Sequence, residues 1–512
     1  MAATLSTPTT TATPAPPTAS TSGSTSASAS TASVPTPLAP GALPLIGHGL
    51  RLAQRPLQFM DSLREHGPVV RIQLARTPAY VVTDPALTKE VLVTGAADYA
   101  KGGRIIDALR VFFGDGLATV ADGDTHMKNR RLMQPMFNRA HIATRGDAMI
   151  EQVREIVDSW PEDEPRDTLA DMTELTLAAF LGALFGTDLP AHLQDDFLAL
   201  MPPIMRGTIR QTLLPGWVNR LPLPANRAHA ERVARLRRLI DQAIDHRTAA
   251  LDAQKSAPAK GSADAVGEGE VPAAAAQCPH VGITGTTGAG TGTPDTGLFD
   301  TLLTAPEPLS RRQLQDEAIT LLTGAIETTS TTLAWALYEI DKNPEIRHRL
   351  QEELKTVCGG DGPLRHEHLD QLTYTRAVLQ ESMRQYGPAW LVTRTATRTL
   401  TLGGHRIPEG ADVVYSPYLH QHDPAVFPHP ARFDPDRWSE RPDAATRGSF
   451  LAFGAGRRNC IGEAFAWTEL LIVLATITRS RPGLTLAPGS SAPRPQAVVT
   501  VKPDNLMMVP RR

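Results

Sequence analysis

The chain has few cysteines, few aromatic residues and no long apolar run. Its 512 residues include three cysteines, too few for a disulfide framework, which favours a reducing compartment such as the cytoplasm. The most apolar stretch, residues 175–186, is shorter than the roughly 20 residues that a membrane helix needs. The 51 Lys and Arg nearly balance the 54 Asp and Glu, so the net charge of −3 gives no reason to expect nucleic acid as a partner.

Charge is also missing from the N-terminus, where the first charged residue is Arg51. Residues 1–40 are almost entirely Ala, Ser, Thr and Pro, a composition that cannot offset the entropy of ordering, so we expect a disordered tail. Without a basic region and an apolar core, the segment predicts neither a signal peptide nor a membrane anchor. Residues 41–512 are expected to form one domain, interrupted by a flexible surface insertion at 252–297 that is rich in Ala, Gly, Thr and Pro and contains Cys278.

The rest of the pattern is mainly helical, with a smaller β region. It predicts a helix over residues 56–66, strands at 69–74 and 79–83, and a helix over 374–385. A capping box formed by Ser310 and Gln313 begins a helix that should continue to about Asp341. The middle of this helix carries small or apolar residues on every face, so we expect it to be buried.

Residues 453–462 read Phe-Gly-Ala-Gly-Arg-Arg-Asn-Cys-Ile-Gly and immediately precede an apolar helix. A cysteine at a helix N-terminus is expected to favour the thiolate, because the free N–H groups stabilise negative charge. Gly454 and Gly456 permit positive φ, and Arg458 offers a cation. Since no histidine accompanies Cys460 at the spacing of a nucleophilic dyad, a cofactor ligand fits better than a nucleophile. The alternative is a buried structural cysteine in a glycine-rich turn.

This stretch resembles, position for position, the haem-binding signature of the cytochrome P450 (haem-thiolate monooxygenase) family. The matching residues are Phe453, Gly454, Gly456, Arg458, Cys460 and Gly462. The resemblance implies haem b as cofactor, with Cys460 as the axial ligand of the iron. It also implies the family's fold, a single triangular-prism domain with the haem between the long central helix and the helix after Cys460.

A second resemblance lies in the central helix, where residues 324–329 read Gly-Ala-Ile-Glu-Thr-Thr, like the family's oxygen-binding groove. Small residues such as Ala325 would let the helix approach the haem. The Thr328 hydroxyl can bond to the carbonyl four residues earlier or release it, and Glu327 is expected to supply protons. The alternative is that these are polar residues satisfied by the helix itself.

Glu381 and Arg384 lie three residues apart on one helical face, a spacing that by itself indicates an ordinary surface pair. Together with Arg437, however, they match a family motif that implies a buried structural triad. The haem propionates need cations, for which the resemblance suggests His126, Arg130, Arg394 and Arg458. Lys128 and Arg131 lie off that helical face and are interpreted as solvated charges or as a docking site for an acidic ferredoxin.

The resemblance further implies O2 and a substrate pocket. The predicted wall consists of Ile105, Ile106, Leu109, Phe112, Phe113, Leu321, Leu322, Ala325, Ala389, Trp390, Leu391 and Val392. These residues offer no ionisable group, which indicates an apolar ligand. Since residues 387–394 and 414–418 are similar to those of bacterial relatives that oxidise sesquiterpenes, a terpene is the first hypothesis, a fatty acid the second and a polyketide the third.

Electrons are expected to come from a separate ferredoxin and ferredoxin reductase, because the sequence contains no flavin or iron–sulfur domain, and the protein is expected to be a monomer. Two other functions compete with this hypothesis. One is a haem-binding protein that does not oxygenate, and the other is a peroxygenase. The Glu327–Thr328 pair argues against both, since peroxide-using relatives typically lose it.

Overall fold

The computed structural model describes residues 34–186, 189–213, 216–256 and 297–511. The folded part begins before the predicted boundary at residue 41, because Leu38 forms a β-bridge with Arg71 and Ala39 is only 2 % exposed. The predicted insertion also begins too early, since the helix Pro224–Ser256 includes residues 252–256. The remainder of the predicted tail and nearly all of the insertion, with Cys278, lie outside the described residues.

Helices dominate the described chain, as predicted. They are α1 (Gly49–Gln54), α2 (Pro56–Ser62), α3 (Pro85–Lys89), α4 (Arg104–Phe113), α5 (Asp124–Met133), α6 (Arg139–Ala143), α7 (Gly146–Asp158), α8 (Thr168–Phe185), α9 (Ala191–Leu213), α10 (Gly216–Asn219), α11 (Pro224–Ser256), α12 (Asp300–Leu303), α13 (Arg311–Lys342), α14 (Pro344–Val357), α15 (Thr373–Gln385), α16 (Pro417–Gln421), α17 (Ala444–Ser449) and α18 (Glu463–Ser480). Short 3₁₀ turns occupy Leu63–His66, Ala96–Asp98, Gln134–Phe137, His366–Gln371, Pro435–Trp438 and Gly456–Arg458, and a π-turn occupies Glu90–Thr94.

The β region is small. Its strands are β1 (Val69–Leu74), β2 (Thr77–Val82), β3 (Tyr99–Ala100), β4 (Arg166–Asp167), β5 (Val392–Ala396), β6 (Leu400–Leu402), β7 (His405–Ile407), β8 (Asp412–Tyr415), β9 (Thr485–Leu486), β10 (Pro495–Ala497), β11 (Val501–Pro503) and β12 (Met507–Val509). The largest sheet has the order β1-β2-β8-β5-β3, in which β8 runs parallel to β2 and the other pairs are antiparallel. Strands β10 and β11 form a separate antiparallel hairpin near the C-terminus.

The central helix is α13, as the sequence predicts. The Ser310 hydroxyl accepts the Gln313 N–H at 3.3 Å and the Gln313 side chain accepts the Ser310 N–H at 2.9 Å, so both halves of the capping box are present. Most of α13 is buried, and it packs against α8, α15 and α18. The helix ends at Lys342 with Asn343 as its C-cap, and Pro344 begins α14.

Among the described residues, one helix is long and apolar enough to cross a membrane. This is α8, Thr168–Phe185, and 72 % of it is buried inside the protein. It packs closely on α13 as part of the main hydrophobic core. Its apolar character is therefore that of a core helix.

Candidate active site

The loop that carries Cys460, residues 453–462, is folded back on itself. The Cys460 N–H donates to the Phe453 carbonyl at 2.8 Å, and the next helix, α18, begins directly after Gly462. Gly454 and Gly456 both adopt φ of +69°. A Cβ on Gly456 would lie 2.0 Å from the Leu92 carbonyl oxygen, so only glycine fits this position.

The Cys460 side chain faces a cavity and is open to a ligand there. Burial raises the pKa of the Cys460 thiol, and the Gly462 N–H lowers it only in part. The stabilisation of the thiolate that the helix N-terminus is expected to give is thus opposed by desolvation. A coordinated metal ion would reverse this balance, since it deprotonates a thiol ligand outright.

The cavity encloses about 1210 Å³ of space not filled by protein atoms, including its open mouth. The central helix contributes Thr320, Leu321, Gly324, Ala325, Thr328, Thr329 and Thr332 to its wall. The cysteine loop contributes Phe453, Arg458, Asn459, Cys460, Ile461 and Gly462. The two predicted motifs therefore meet at one cavity, although more than 120 residues separate them in the sequence.

The Thr328 hydroxyl donates to the Gly324 carbonyl at 2.8 Å, the back-bonded state anticipated for it. Glu327, in contrast, does not reach this cavity in the described structure. Its Oε1 accepts hydrogen bonds from the Thr500 hydroxyl at 3.0 Å and from Lys502 Nζ at 3.4 Å, both on the β10–β11 hairpin. The predicted acid and threonine are neighbours in sequence that face different parts of the molecule.

Two of the residues predicted to bind the haem propionates form hydrogen bonds with protein groups. Arg458 lines the cavity, and its Nε donates to Asp122 Oδ1 at 2.8 Å while Nη2 donates to the Val120 carbonyl at 3.0 Å. Arg130 also lines the cavity, but its guanidinium is bidentate to Asn459, at 2.9 Å from the backbone oxygen and 2.6 Å from Oδ1. Arg130 therefore fixes the residue next to Cys460.

The other two propionate candidates differ in position. His126 lines the cavity, and burial together with the charge of Arg458 lowers the pKa of its imidazole to about 4. At neutral pH it is a neutral hydrogen-bond donor, although a carboxylate placed beside it would raise the pKa again. Arg394 is buried next to Tyr415 and donates to the Thr393 carbonyl, and the structure does not bring it to the wall described above.

The predicted triad is present and fully buried at its centre. Arg384 donates to both oxygens of Glu381, at 2.9 and 2.8 Å, and Arg437 Nε lies 3.3 Å from Oε1. The Trp438 indole N–H and the Asp434 backbone N–H each donate to Glu381 at 3.0 Å. Five donors thus converge on one carboxylate.

The family model for cytochrome P450 matches residues 37–480 of this chain. The chain belongs to the cytochrome P450 family. It is therefore an oxidoreductase of the haem-thiolate monooxygenase type, and the family's chemistry requires haem b, O2, a redox partner and an apolar substrate.

Three curated relatives match along most of their length. The chain is 37 % identical over 482 residues to cyclooctatin synthase of Streptomyces melanosporofaciens, covering 93 % of this chain and 95 % of the relative. It is 32 % identical to cyclooctat-9-en-7-ol 5-monooxygenase of the same organism, covering 88 % and 91 %. It is 31 % identical to pentalenene oxygenase of Streptomyces avermitilis, covering 90 % and 94 %.

The cavity of this cytochrome P450 fits its cofactor. Small residues, Gly324 and Ala325, line one part of the wall and leave room for a flat macrocycle. The sulfur of Cys460 would supply a thiolate ligand, and Arg458, His126 and Lys101 would offer hydrogen-bond donors to acidic groups. When bound, haem b supplies the one-electron and dioxygen chemistry of the family, and the protein supplies its position and surroundings.

Part of the predicted substrate wall lines this cavity, namely Leu321, Ala325 and Ala389. Leu322, Phe112 and Phe113 belong to the main hydrophobic core, against which Leu109 packs, and Ile106 is 7 % exposed. Trp390, Leu391 and Val392 pack on the two smaller clusters beside the sheet. The Ile105 side chain lies outside the described structure. Apolar spacing on α4 does not distinguish a core face from a cavity wall.

Three ionisable residues near the haem site were missed from the sequence. Lys101 lines the cavity, and burial, helped by Arg458 and Arg394, lowers its pKa to about 7. Glu469, on α18, lines the cavity too, and burial raises its pKa well above the usual value. Burial also raises the pKa of Glu317 to about 7, although its oxygens accept from the Leu117 N–H and the Asn129 amide at 2.8 Å each.

The sequence offers one signal that could have found such residues, namely an ionisable side chain within an otherwise apolar helix. Glu469 stands in the apolar run of α18, where an unpaired carboxylate is costly and hence informative. Lys101 gives no such signal, because it lies in a loop-rich stretch.

Proposed function

We propose that this cytochrome P450 oxidises a terpene, using O2 and electrons delivered by a ferredoxin and a ferredoxin reductase. The observation that carries the proposal is the similarity, over nearly the full length of both chains, to relatives named for terpene substrates. The apolar cavity supports it, since Leu117, Phe180, Leu321 and Phe465 are among its lining residues. A sesquiterpene remains the sequence-based hypothesis within this class.

Within this proposal, Cys460 is the axial ligand, and Arg458 and His126, which line the cavity, are assigned to the propionates, while Arg130 holds Asn459 and Arg394 lies off the cavity wall. Thr328 and Glu327 are assigned to the handling of protons. The hydrogen bond from Thr328 to Gly324 leaves the hydroxyl available for exchange with a water molecule, because a back-bonded threonine can release its carbonyl.

The redox partner is proposed to dock beside the cysteine loop. A second, more polar cavity there is lined by three arginines, Arg130, Arg139 and Arg376, and by two acids, Asp370 and Glu463. The excess of cations suits an acidic ferredoxin. Arg131 is exposed and remains a docking candidate, whereas Lys128 already pairs with Glu307. We further propose that the protein works as a monomer in the cytoplasm.

The test compares two cysteine substitutions. Cys460→Ser is expected to abolish the carbon-monoxide spectrum typical of thiolate-ligated haem, together with turnover. Cys358→Ser is the matched control, since Cys358 is also a lone cysteine, is 7 % exposed and lies away from the cavity, and it is expected to keep both properties. An unchanged spectrum in Cys460→Ser would overturn the assignment of the ligand.

The substrate class is tested on the wild-type protein. Terpene olefins and terpene alcohols, fatty acids and macrolides are titrated against the spin-state change of the haem, followed by turnover with ferredoxin and reductase. Terpenes are expected to bind most tightly and to be hydroxylated. Conversion of a fatty acid or a macrolide at a higher kcat/KM would replace the terpene hypothesis, and peroxide-driven turnover without ferredoxin-driven turnover would indicate a peroxygenase.

A further inference from the structure

Three aromatic side chains pack together close to the wall of the cavity. The Trp335 and Tyr386 rings are nearly parallel, with centroids 3.9 Å apart, and the Tyr338 ring meets Trp335 edge-on at 5.9 Å. Met383, which lies one helical turn before Tyr386, lines the cavity, and so does Pro388, which lies two residues after it. Tyr386 is therefore joined to the cavity wall through its own chain neighbours.

The Tyr386 phenol donates a hydrogen bond to a buried carboxylate. Its oxygen lies 2.6 Å from Glu339 Oε1, and Glu339 is 1 % exposed. Burial and the negative charge of Glu339 raise the pKa of Tyr386, so the phenol keeps its proton at neutral pH. Tyr374, near the other end of α15, differs, because its buried hydroxyl has no hydrogen-bond partner within the described residues.

The aromatic cluster reaches the protein surface at Lys342. The Lys342 ammonium lies 3.3 Å from both oxygens of Glu339 and 5.1 Å from the centre of the Tyr338 ring. Its side chain is 49 % exposed, so solvent reaches this end of the cluster. Stacked rings beside the cavity wall and an exposed cation at the other end thus form a continuous series of side chains from the haem side to water.

A phenol in this setting is suited to one-electron oxidation. Loss of an electron makes the O–H group strongly acidic, and the carboxylate of Glu339 is already placed to take the proton. The transfer avoids leaving a cation on the buried ring, which would be costly. An oxidant is available from the chemistry of the family, because hydrogen peroxide forms at the haem side when O2 is reduced and no substrate is oxidised.

We propose that Tyr386 is a redox-active residue that passes electrons from an external reductant to peroxide at the haem side, and so protects the cofactor from oxidation. In each step Tyr386 gives up one electron, its O–H bond breaks and the proton moves to Glu339. An anionic reductant such as ascorbate, attracted by Lys342, returns one electron to the phenoxyl radical, and the proton returns from Glu339. Two such steps, with two electrons and two protons from the reductant, convert one H2O2 into two water molecules.

The main test detects the radical itself. Hydrogen peroxide is added to the ferric holoprotein without organic substrate, and the rapidly frozen sample is examined by electron paramagnetic resonance. The wild type is expected to show a phenoxyl signal that narrows when the protein contains ring-deuterated tyrosine. Tyr386→Phe, which keeps the stacked ring, should reduce this signal several-fold, and Tyr374→Phe should match the wild type. No tyrosine radical in the wild type, or an equal signal in Tyr386→Phe, would overturn the proposal.

Survival of the haem gives a second readout. Bleaching of the haem absorbance by peroxide is followed with and without ascorbate in the same three proteins. Ascorbate is expected to slow bleaching several-fold in the wild type and in Tyr374→Phe, and to have little effect in Tyr386→Phe. Equal protection of all three proteins would show that the reductant does not act through Tyr386.

The role of the carboxylate is tested with Glu339→Gln, which keeps an acceptor for the Tyr386 hydroxyl but cannot take its proton. This variant is expected to lower the radical yield several-fold. Asp341→Asn is the matched control, because Asp341 lies at the same end of α13 but pairs with Arg347 at 2.7 Å. A wild-type yield in Glu339→Gln would refute proton transfer to Glu339. Since no organic substrate is present, these outcomes do not depend on the proposed terpene, whereas a wild-type protein without a thiolate-type spectrum would refute the proposed function itself.

Discussion

Two buried carboxylates on neighbouring helices have opposite hydrogen-bonding environments. Glu381 on α15 and Glu469 on α18 are both 0 % exposed. Glu381 accepts five hydrogen bonds, three of them from arginines. Within the described residues no well-formed hydrogen bond holds either oxygen of Glu469, since the adjacent Thr329 hydroxyl lies close enough to lower its pKa but donates to the Ala325 carbonyl at 2.6 Å.

This difference separates a structural charge from acids that face the reaction. A carboxylate surrounded by donors is fixed in one place and one ionisation state, which suits a residue that holds a loop. A buried acid without donors favours the protonated form. Glu317, with two donors, and Glu327, with one oxygen satisfied, fall between these extremes. The number of hydrogen-bond donors is largest at Glu381 and smallest at Glu469, which lines the haem cavity.

The largest loss of stability is expected at Glu381, the carboxylate with the most hydrogen-bond donors. Glu381→Gln keeps the size of the side chain but leaves Arg384, which is 0 % exposed, without a counter-charge. Breaking a buried ion pair on one side costs about 3–5 kcal/mol, so we expect little soluble haem-loaded protein and a much lower midpoint of unfolding in urea. Both quantities are measured on the purified holoprotein.

The control for this variant is Arg349→Gln. Arg349 and Asp436 form an equally well-aligned pair, at 2.9 and 2.8 Å, but their side chains are 49 % and 57 % exposed. Loss of a surface pair costs about 1 kcal/mol or less. If the two variants lost similar stability, burial would not be the cause of the difference.

The Glu381 network was also the part of the site that the sequence could predict. Glu381, Arg384 and Arg437 belong to short motifs with fixed spacing, and the loop around Cys460 is a single continuous stretch. The position of Glu327 depends on Thr500 and Lys502, which follow it by 173 and 175 residues. No local pattern encodes such a distant contact. For the same reason the assignment of α4 to the substrate wall stays a prediction, because periodicity reports which residues are buried and not what covers them.

A second prediction concerns Glu469, the buried carboxylate with the fewest hydrogen-bond donors. Because burial raises the pKa of Glu469, its stabilising protonated form is fully present below pH 4.5 and is lost as pH rises through the folded pKa. Between pH 4.5 and the folded pKa, this one group lowers the free energy of unfolding of the wild-type protein by up to about 1.4 kcal/mol per pH unit. Glu469→Gln, which stays neutral, is expected to remove this slope.

The measurement is the free energy of unfolding of the holoprotein between pH 5 and 9. Glu367→Gln, a change at an exposed glutamate, should leave the slope unchanged. Equal slopes in the wild type and Glu469→Gln would mean that the carboxyl finds a partner in solution, and the contrast with Glu381 would then be lost.

The smallest effect is expected at Glu317, whose two donors only partly offset its burial. Its pKa is raised from 4.5 to about 7. Its contribution to the free energy of unfolding therefore falls between pH 4.5 and pH 7 and is constant above pH 7, a total change of about 3 kcal/mol at most. Glu317→Gln should lack this fall, which ends near pH 7. The protection factor of the Leu117 amide against hydrogen exchange gives a local check, because Glu317 accepts this N–H and the factor should vary with pH in the wild type and not in the variant. A protection factor that is independent of pH in both proteins would show that the two donors already fix this carboxylate as firmly as the five donors fix Glu381.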